Sequence, residues 1–292
     1  MTTPDGAAGA AEWAADGTEP SAGRIEAATG LGAADATEWA ATGLGAAGPL
    51  AVFDLGVAPY RPTQDLQGRL RVAVAEGRLP GVILLLEHEP VITLGNRRNP
   101  ADLRDPGLIR GRGVEVAPSE RGGQATLHAH GQLVSYPIVP VPRRDLRAFV
   151  HDLEEILVVL LAGLGVTAHR RERRPGLYVE EEKIASIGLR CRRWVSSHGT
   201  SLNVNVDLSL FDLIVSCGEP ELRQTSVAAV TGTTYEMDLI KSLYVQAAQQ
   251  VFGWELSPLR KLPYTEVEAA LGVPTAGFEP ATPGSGGQCS IP

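Results

Sequence analysis

Two residues of this 292-residue chain stand in contexts that could support covalent chemistry: Lys183 within EEKIASIGLR and Cys217 within LIVSCGEP. A thiol is a strong nucleophile only as the thiolate. With an ordinary pKa of about 8.5, a free cysteine stays mostly protonated at neutral pH unless a cation or donor sits beside it. Lys183 is a candidate for that cation. Upstream, RGGQATLHAHGQLVSYPI reads as a glycine-rich loop running into a strand, whose backbone N–H groups could approach a carbonyl oxygen or a phosphate. Together these pieces suit acyl transfer through a cysteine. Singly, each has a plainer reading: the loop as an ordinary turn, Cys217 as an inert buried thiol, and Lys183, which follows Glu180, Glu181 and Glu182, as a solvated surface residue.

The elements that must position these residues follow from periodicity. Leu66, Leu70 and Val74 recur at helical spacing over 64–74, and GVILLLEH, bounded by Gly81 and Pro90, reads as a buried strand. A broad apolar face from Leu146 to Leu164 predicts a helix over 144–164, ended by Gly165. Strands are expected over 132–139, 176–179, 183–193 and 195–206, and helices over 237–252 and 265–271. The last two helices each follow a capping-box pattern, Thr233 with Glu236 and Thr265 with Glu268. Mixed strands and amphipathic helices argue for an α/β or α+β fold.

Four segments, RGGQATLHAHGQLVSYPI, PGLYVEEEKIASIGLR, SSHGTSLNVNVDLSLF and the Cys217–Gly218 pair, occur in an order and spacing that resembles the octanoyl-[acyl carrier protein]:protein octanoyltransferases of lipoyl synthesis, often called LipB. The resemblance runs from Val52 to Leu256. It implies the mixed-sheet α/β fold shared by biotin and lipoate protein ligases, with no metal, nucleotide or redox cofactor. The implied activity is transfer of octanoate from octanoyl-acyl carrier protein to one lysine of a lipoyl domain, as found in 2-oxoacid dehydrogenase E2 subunits and the glycine cleavage H protein. The octanoyl group would pass through a thioester on Cys217, with Lys183 exchanging the proton.

The same resemblance assigns substrate binding to Arg121, Gly122, Gly123, Gln124, Ala125, Thr126, Leu127 and His128, with Arg121 either reaching the carrier's phosphopantetheine or holding the loop. It assigns the lining of the acyl pocket to Ser186, Ile187 and Gly188 and to Gly199, Thr200 and Ser201, which as residues alone could equally be strand bulges. Two departures stand out. The relatives usually read His-Gly-Pro-Gly-Gln where this chain has His128-Ala129-His130-Gly131-Gln132, and proline where it has Ser216. If the usual glycine has φ > 0, Ala129 strains the loop or displaces it, and His130 adds a ring near the thioester. That implies slower transfer, or in the extreme an acyl-carrier-binding homologue of low activity.

Other chemistries compete for the same residues. His128 and His130 form an HxH pair, but the nearby acids and cysteines do not complete a metal-ligand set. A hydrolase could pair Cys217 with His128 or His198. A ligase activating a free acid with ATP would call for a nucleotide loop. His88, His151 and His169 read as loop or helix-surface residues, and Cys191, alternating with Ile187 and Leu189, reads as packing.

Composition bounds the rest. With 43% hydrophobic residues the chain can bury a sizeable core. It has no apolar run of about 18 residues and no signal-peptide pattern, so a cytoplasmic location with no membrane partner is expected. Cys191, Cys217 and Cys289 are odd in number and far apart, against a disulfide framework. Of the net charge of −8, residues 1–50 supply −6 (seven acids against Arg24), leaving −2 for the body. Arginines cluster at 97–98, 170–174 and 190–193, a pattern that suits a small acidic protein partner better than nucleic acid.

Residues 1–48 repeat ATGLGAA and carry too little apolar surface to offset ordering entropy, so a disordered extension is expected ahead of a catalytic domain over 49–272. A second disordered tail is expected over 273–292. Its GFEP is what GGGTTCGAACCC, a transfer-RNA arm, would encode, and the tail reads as translation past a natural end.

Overall fold

A computed structural model describes residues 48–273 and 288–289. Nearly all of the expected extension and most of the expected tail lie outside the described residues. The described chain opens with strand β1 (Ala51–Ala58), helix α1 (Tyr60–Ala75), β2 (Val82–His88), β3 (Val91–Leu94), α2 (Pro106–Gly111), β4 (Glu115–Pro118), β5 (Ala125–His128) and β6 (Gln132–Ile138). It continues through α3 (Leu146–Gly163), β7 (His169–Arg171), β8 (Arg174–Val179), β9 (Glu182–Arg192), β10 (Val195–Asn203), α4 (Val227–Thr231), α5 (Met237–Phe252), β11 (Arg260–Lys261), α6 (Val267–Ala270) and β12 (Gln288–Cys289).

The expected mixed α/β architecture is observed. The main sheet runs β11-β1-β2-β6-β10-β9-β8-β7, and β12 pairs with β9. β1 is parallel to β2, because α1 carries the chain over the sheet between them, and also to β11; the other pairings of this sheet are antiparallel. The GVILLLEH run is apolar on both faces for a reason: Ile83 and Leu85 enter the core under α3 and α5, whereas Leu84 and Leu86 enter the core under α1. Leu66, Leu70 and Val74 form the buried stripe of α1. On the opposite face Leu153, Ile156, Leu157 and Leu160 of α3 pack with Ile240 and Tyr244 of α5.

Helix α3 starts where it does because the Asp145 carboxylate accepts from the amides of Arg147 and Ala148. Neither predicted capping box forms. Helix α5 begins after Glu236, with no side-chain cap, because Asn205 holds the preceding chain extended: its Nδ2 donates to Tyr235 O at 2.7 Å and its Oδ1 accepts from Tyr235 N at 3.1 Å. At the other site, Tyr264–Glu266 is a 3-10 turn and Glu266, also without a side-chain cap, precedes α6.

A small second sheet, β4-β3-β5, buries Ile92, Leu127 and Ala129 against Val206 and Phe211. No helix among the described residues is long and apolar enough to cross a membrane.

Candidate active site

Three glutamates ahead of Lys183 suggested an exposed lysine, yet Lys183 is only 3% exposed. The cause is a bulge. Cα pairing runs Leu177 with Ala185 and then Tyr178 with Lys183, so Ile184 is the extra residue in β9, and Lys183, Ile184 and Ala185 are all buried in succession. A strict alternation would have sent Lys183 and Ile184 to opposite faces. On the other edge Lys183 N donates to Arg223 O and Lys183 O accepts from Thr225 N, each at 2.9 Å. The side chain lies over Gly176, where an added Cβ would approach Lys183 Cε to 2.7 Å. Its Nζ donates to Pro175 O at 3.2 Å and sits 5.6 Å from the Tyr178 ring centre.

Cys217 occupies the middle of a 3-10 turn, Ser216–Gly218. Val215 N donates to Asp102 O at 2.8 Å, which fixes the entry to the turn, and Gly218 adopts φ 72°. The Gly218 amide donates to Val215 O at 3.3 Å inside the turn. The turn is held from two directions. The Gln124 side chain lies so close to Gly218 that an added Cβ would come within 2.5 Å of its Nε2. Glu219 pairs with Arg174 at 2.8 Å, next to the Pro175–Gly176 peptide that carries Lys183. Cavities of about 430 and 390 Å³ flank the turn; the first is lined by Arg104, Glu182, Ser216 and Arg223 among others, the second by Arg171, Glu181 and Gly218, and both share Glu219–Leu222.

Arg121 settles into the loop. Its Nη2 donates to Thr93 O and to Gln124 O, both at 2.7 Å, its Nε to Thr93 Oγ1 at 3.1 Å and its Nη1 to Gly122 O at 3.0 Å. The guanidinium is thus buried within the loop it closes. Gly122 N donates to Leu189 O of β9 at 2.8 Å, and Gly123, at φ 89°, accepts from Arg97 N at 3.0 Å. Ala125, Thr126, Leu127 and His128 then form β5.

The two small-residue segments are cross-strand partners: Ser186 faces Ser201, Ile187 faces Thr200 and Gly188 faces Gly199, in an unbroken ladder rather than a bulge. The space a side chain would take is filled. At Gly188 it is occupied by the Arg121 stem, 3.0 Å from an added Cβ, and at Gly199 by the Ser135 carbonyl. Neither cavity beside the cysteine turn touches these six residues.

The Ala129 strain expected from the sequence is absent. Ala129 is not among the residues with positive φ; Gly131 takes the left-handed position at φ 79°, and Ala129 is 2% exposed within the core of the small sheet. His130 is exposed, with Nε2 3.3 Å from Glu89 Oε2.

The model of the lipoyl protein ligase A/B catalytic domain matches residues 59–249. An octanoyltransferase of Nitratidesulfovibrio vulgaris (strain DSM 19637 / Miyazaki F) is 39% identical over 206 residues, covering 69% of this chain and 94% of that protein. One from Syntrophotalea carbinolica is 40% identical over 204 residues, covering 69% and 94%. The chain belongs to the octanoyltransferases of the lipoyl protein ligase A/B catalytic family. It is therefore an acyltransferase, and its chemistry is octanoyl transfer in protein lipoylation. The fold agrees: a lipoate-protein ligase A solved with ATP superposes with a TM-score of 0.64 at 15% identity, over 76% of this chain and 92% of that one. A Thermoplasma acidophilum putative lipoate protein ligase with bound lipoic acid gives 0.62 at 16%, over 77% and 93%.

Sequence reading missed how this octanoyltransferase gathers its histidines. His88, expected at the surface, is fully buried in β2. Its Nδ1 lies 2.7 Å from Ala58 O, and because a carbonyl only accepts, Nδ1 carries the proton and Nε2 accepts from the Tyr136 hydroxyl at 2.7 Å. His128 Nδ1 donates to Gln132 Oε1 at 2.7 Å, its ring stacks on Tyr60 and it lies 5.6 Å from His88. From Gln132 the bonds continue through Asn203 to Thr225 O, and Thr225 N meets the Lys183 carbonyl.

Burial pushes His88 down to about 4 and, with help from the Arg121 and Arg190 charges, His198 down to about 3. Burial and the neighbouring His88 hold His128 well below the usual imidazole range. All three are neutral at pH 7. His151 and His169 are exposed, as expected, although His169 opens β7. Cys191 is buried in the core, as read from its alternation.

Proposed function

We propose that this enzyme moves octanoate from octanoyl-acyl carrier protein to a lysine of lipoyl domains, such as those of 2-oxoacid dehydrogenase E2 subunits and the glycine cleavage H protein, through a thioester on Cys217, in the cytoplasm. The Cys217 thiolate attacks the thioester carbonyl; the S–C bond to the carrier breaks, and the leaving pantetheine thiolate takes a proton. The acceptor amine then attacks the acyl-cysteine, the N–C bond forms, and the thiolate of Cys217 is released. Lys183 gives and takes the proton in the two halves. The resemblance assigns the loop from Arg121 to His128 and the facing segments Ser186–Gly188 and Gly199–Ser201 to the substrate site, although the two cavities beside the turn do not reach the six residues of those segments. Arg121 serves that site by fixing the loop rather than by contacting the carrier.

The observation that best supports this reading is the convergence of the motifs on one short turn. Gln124 of the glycine loop abuts Gly218, and Arg174, at the head of the strand that bears Pro175 and Gly176, pairs with Glu219. The test is intact-mass analysis after mixing with octanoyl-acyl carrier protein. One octanoyl adduct, removable by hydroxylamine and absent from Cys217→Ala, is expected. An adduct that survives Cys217→Ala, or none from a competent donor, defeats the covalent route.

A further inference from the structure

Lysine is a flexible four-carbon stem, so a lysine that exchanges protons with one partner must be held by something else. Here the Lys183 stem lies on Gly176 and its Nζ donates to Pro175 O at 3.2 Å. Both contacts are made to a single peptide unit, the amide joining Pro175 to Gly176. That amide is gripped from its other end. Gly176 N donates at 2.8 Å to Oε1 of Glu154, a residue of α3 that is only 6% exposed.

The amide is trans, so its N–H and C=O point in opposite directions: the carboxylate lies at one end of the amide dipole and the ammonium at the other. A negative charge accepting from the N–H polarises the amide and makes its carbonyl a stronger acceptor, and hydrogen bonds in series strengthen one another in this way. It also fixes the plane of the peptide, and hence the direction from which Nζ is held.

We propose that Glu154 is a positioning residue for Lys183, acting through the Pro175–Gly176 amide. This rests on the reading of Lys183 as the proton-transfer group. The second carboxylate oxygen offers a competing, purely structural role: Oε2 accepts from Arg170 Nε at 3.1 Å, tying α3 to β7, while Arg170 also bonds Glu155. The two roles use different atoms and can be separated.

The experiment measures steady-state octanoyl transfer from octanoyl-acyl carrier protein to a lipoyl domain, with melting temperature, for Glu154→Gln, Glu154→Ala, Arg170→Ala, Lys183→Ala and the Glu154→Ala/Lys183→Ala double variant. Glu154→Ala is expected to lose at least about tenfold in kcat with the acceptor KM within about twofold. Glu154→Gln, isosteric and still able to accept from Gly176 N, should recover part of that loss. Arg170→Ala should melt earlier yet keep kcat within about twofold. The double variant should be no slower than Lys183→Ala alone, because the glutamate acts through the lysine.

A folded Glu154→Ala at the parent kcat overturns the proposal, as does a double variant about tenfold slower than Lys183→Ala. Should Glu154→Ala not fold, Glu154→Gln at the parent kcat overturns it in its place. Lys183→Ala at the parent rate instead removes the reading of Lys183 itself, an outcome separable from the other two.

Discussion

Acid should unfold this enzyme earlier than its carboxylates alone would dictate, because three imidazoles are buried in their neutral form. His88 has a folded pKa of about 4 and His198 of about 3, both depressed chiefly by burial. In the unfolded chain each returns to about 6.5. Below that value the unfolded state binds protons that the folded state refuses, so stability is intact above about pH 7 and falls with pH until the folded pKa values are reached.

Between pH 7.5 and 5.5 the loss is about 1.4 kcal/mol for each of these two residues, hence ~3 kcal/mol together. His128, depressed in the same direction, adds to it. Against a typical total of about 5–15 kcal/mol, this is a large fraction. Urea unfolding at the two pH values measures it, and His88→Gln isolates one contribution, since a glutamine can still bond Tyr136 but takes up no proton. Stability that is flat over this interval, or a pH slope that His88→Gln leaves unchanged, would refute the assignment of neutral buried imidazoles.

Gly199→Ala should be far more damaging than Gly188→Ala. The first drives a methyl into the backbone carbonyl of Ser135 in the β6–β10 ladder, whereas the second meets the Arg121 stem at a looser 3.0 Å, where a shift of a few tenths of an ångström makes room. A loss of about 2–3 kcal/mol or more is expected for Gly199→Ala in urea unfolding, and equal losses would count against the packing described. Ala129→Gly with His130→Pro should not speed transfer, because Ala129 is unstrained and His130 faces Glu89. A faster double variant would restore the strained-loop expectation.

The main fold was legible because its signals are local. The α3 face, the α1 stripe and the strand around Ile83 each declare themselves within about 8–20 residues. The small sheet was not, since its strands β3, β4 and β5 are four residues each, too short for a period to show. Lys183 was found only through its surrounding motif. Its burial depends on the extra residue Ile184 and on edge bonds to Arg223 and Thr225, neither visible in a run that begins with three glutamates.

The histidine cluster was illegible for another reason. Residues 88, 128 and 198 come from three strands, and what makes them one group is the sheet order that sets β2, β6 and β10 side by side, with β5 leading into β6. The capping box at Thr233 failed because a tertiary clamp from Asn205 outcompeted a local one worth about 1 kcal/mol.

The cluster also bears on the proposed activation of the cysteine. A cysteine–histidine pair at neutral pH needs an imidazole able to become imidazolium beside the sulfur. The two histidines that could have filled this role, His128 and His198, are held neutral, and His128 spends Nδ1 on Gln132. The nearby guanidinium of Arg121 is committed to Thr93 and the loop carbonyls, and that of Arg174 to Glu219. These four groups near the turn that carries Cys217 are thus tied into structure or suppressed by burial, whereas Arg104 and Arg223 line the cavity beside it. Lys183, brought inward by a bulge with its Nζ donating to Pro175 O, is the cation that the proposed mechanism uses.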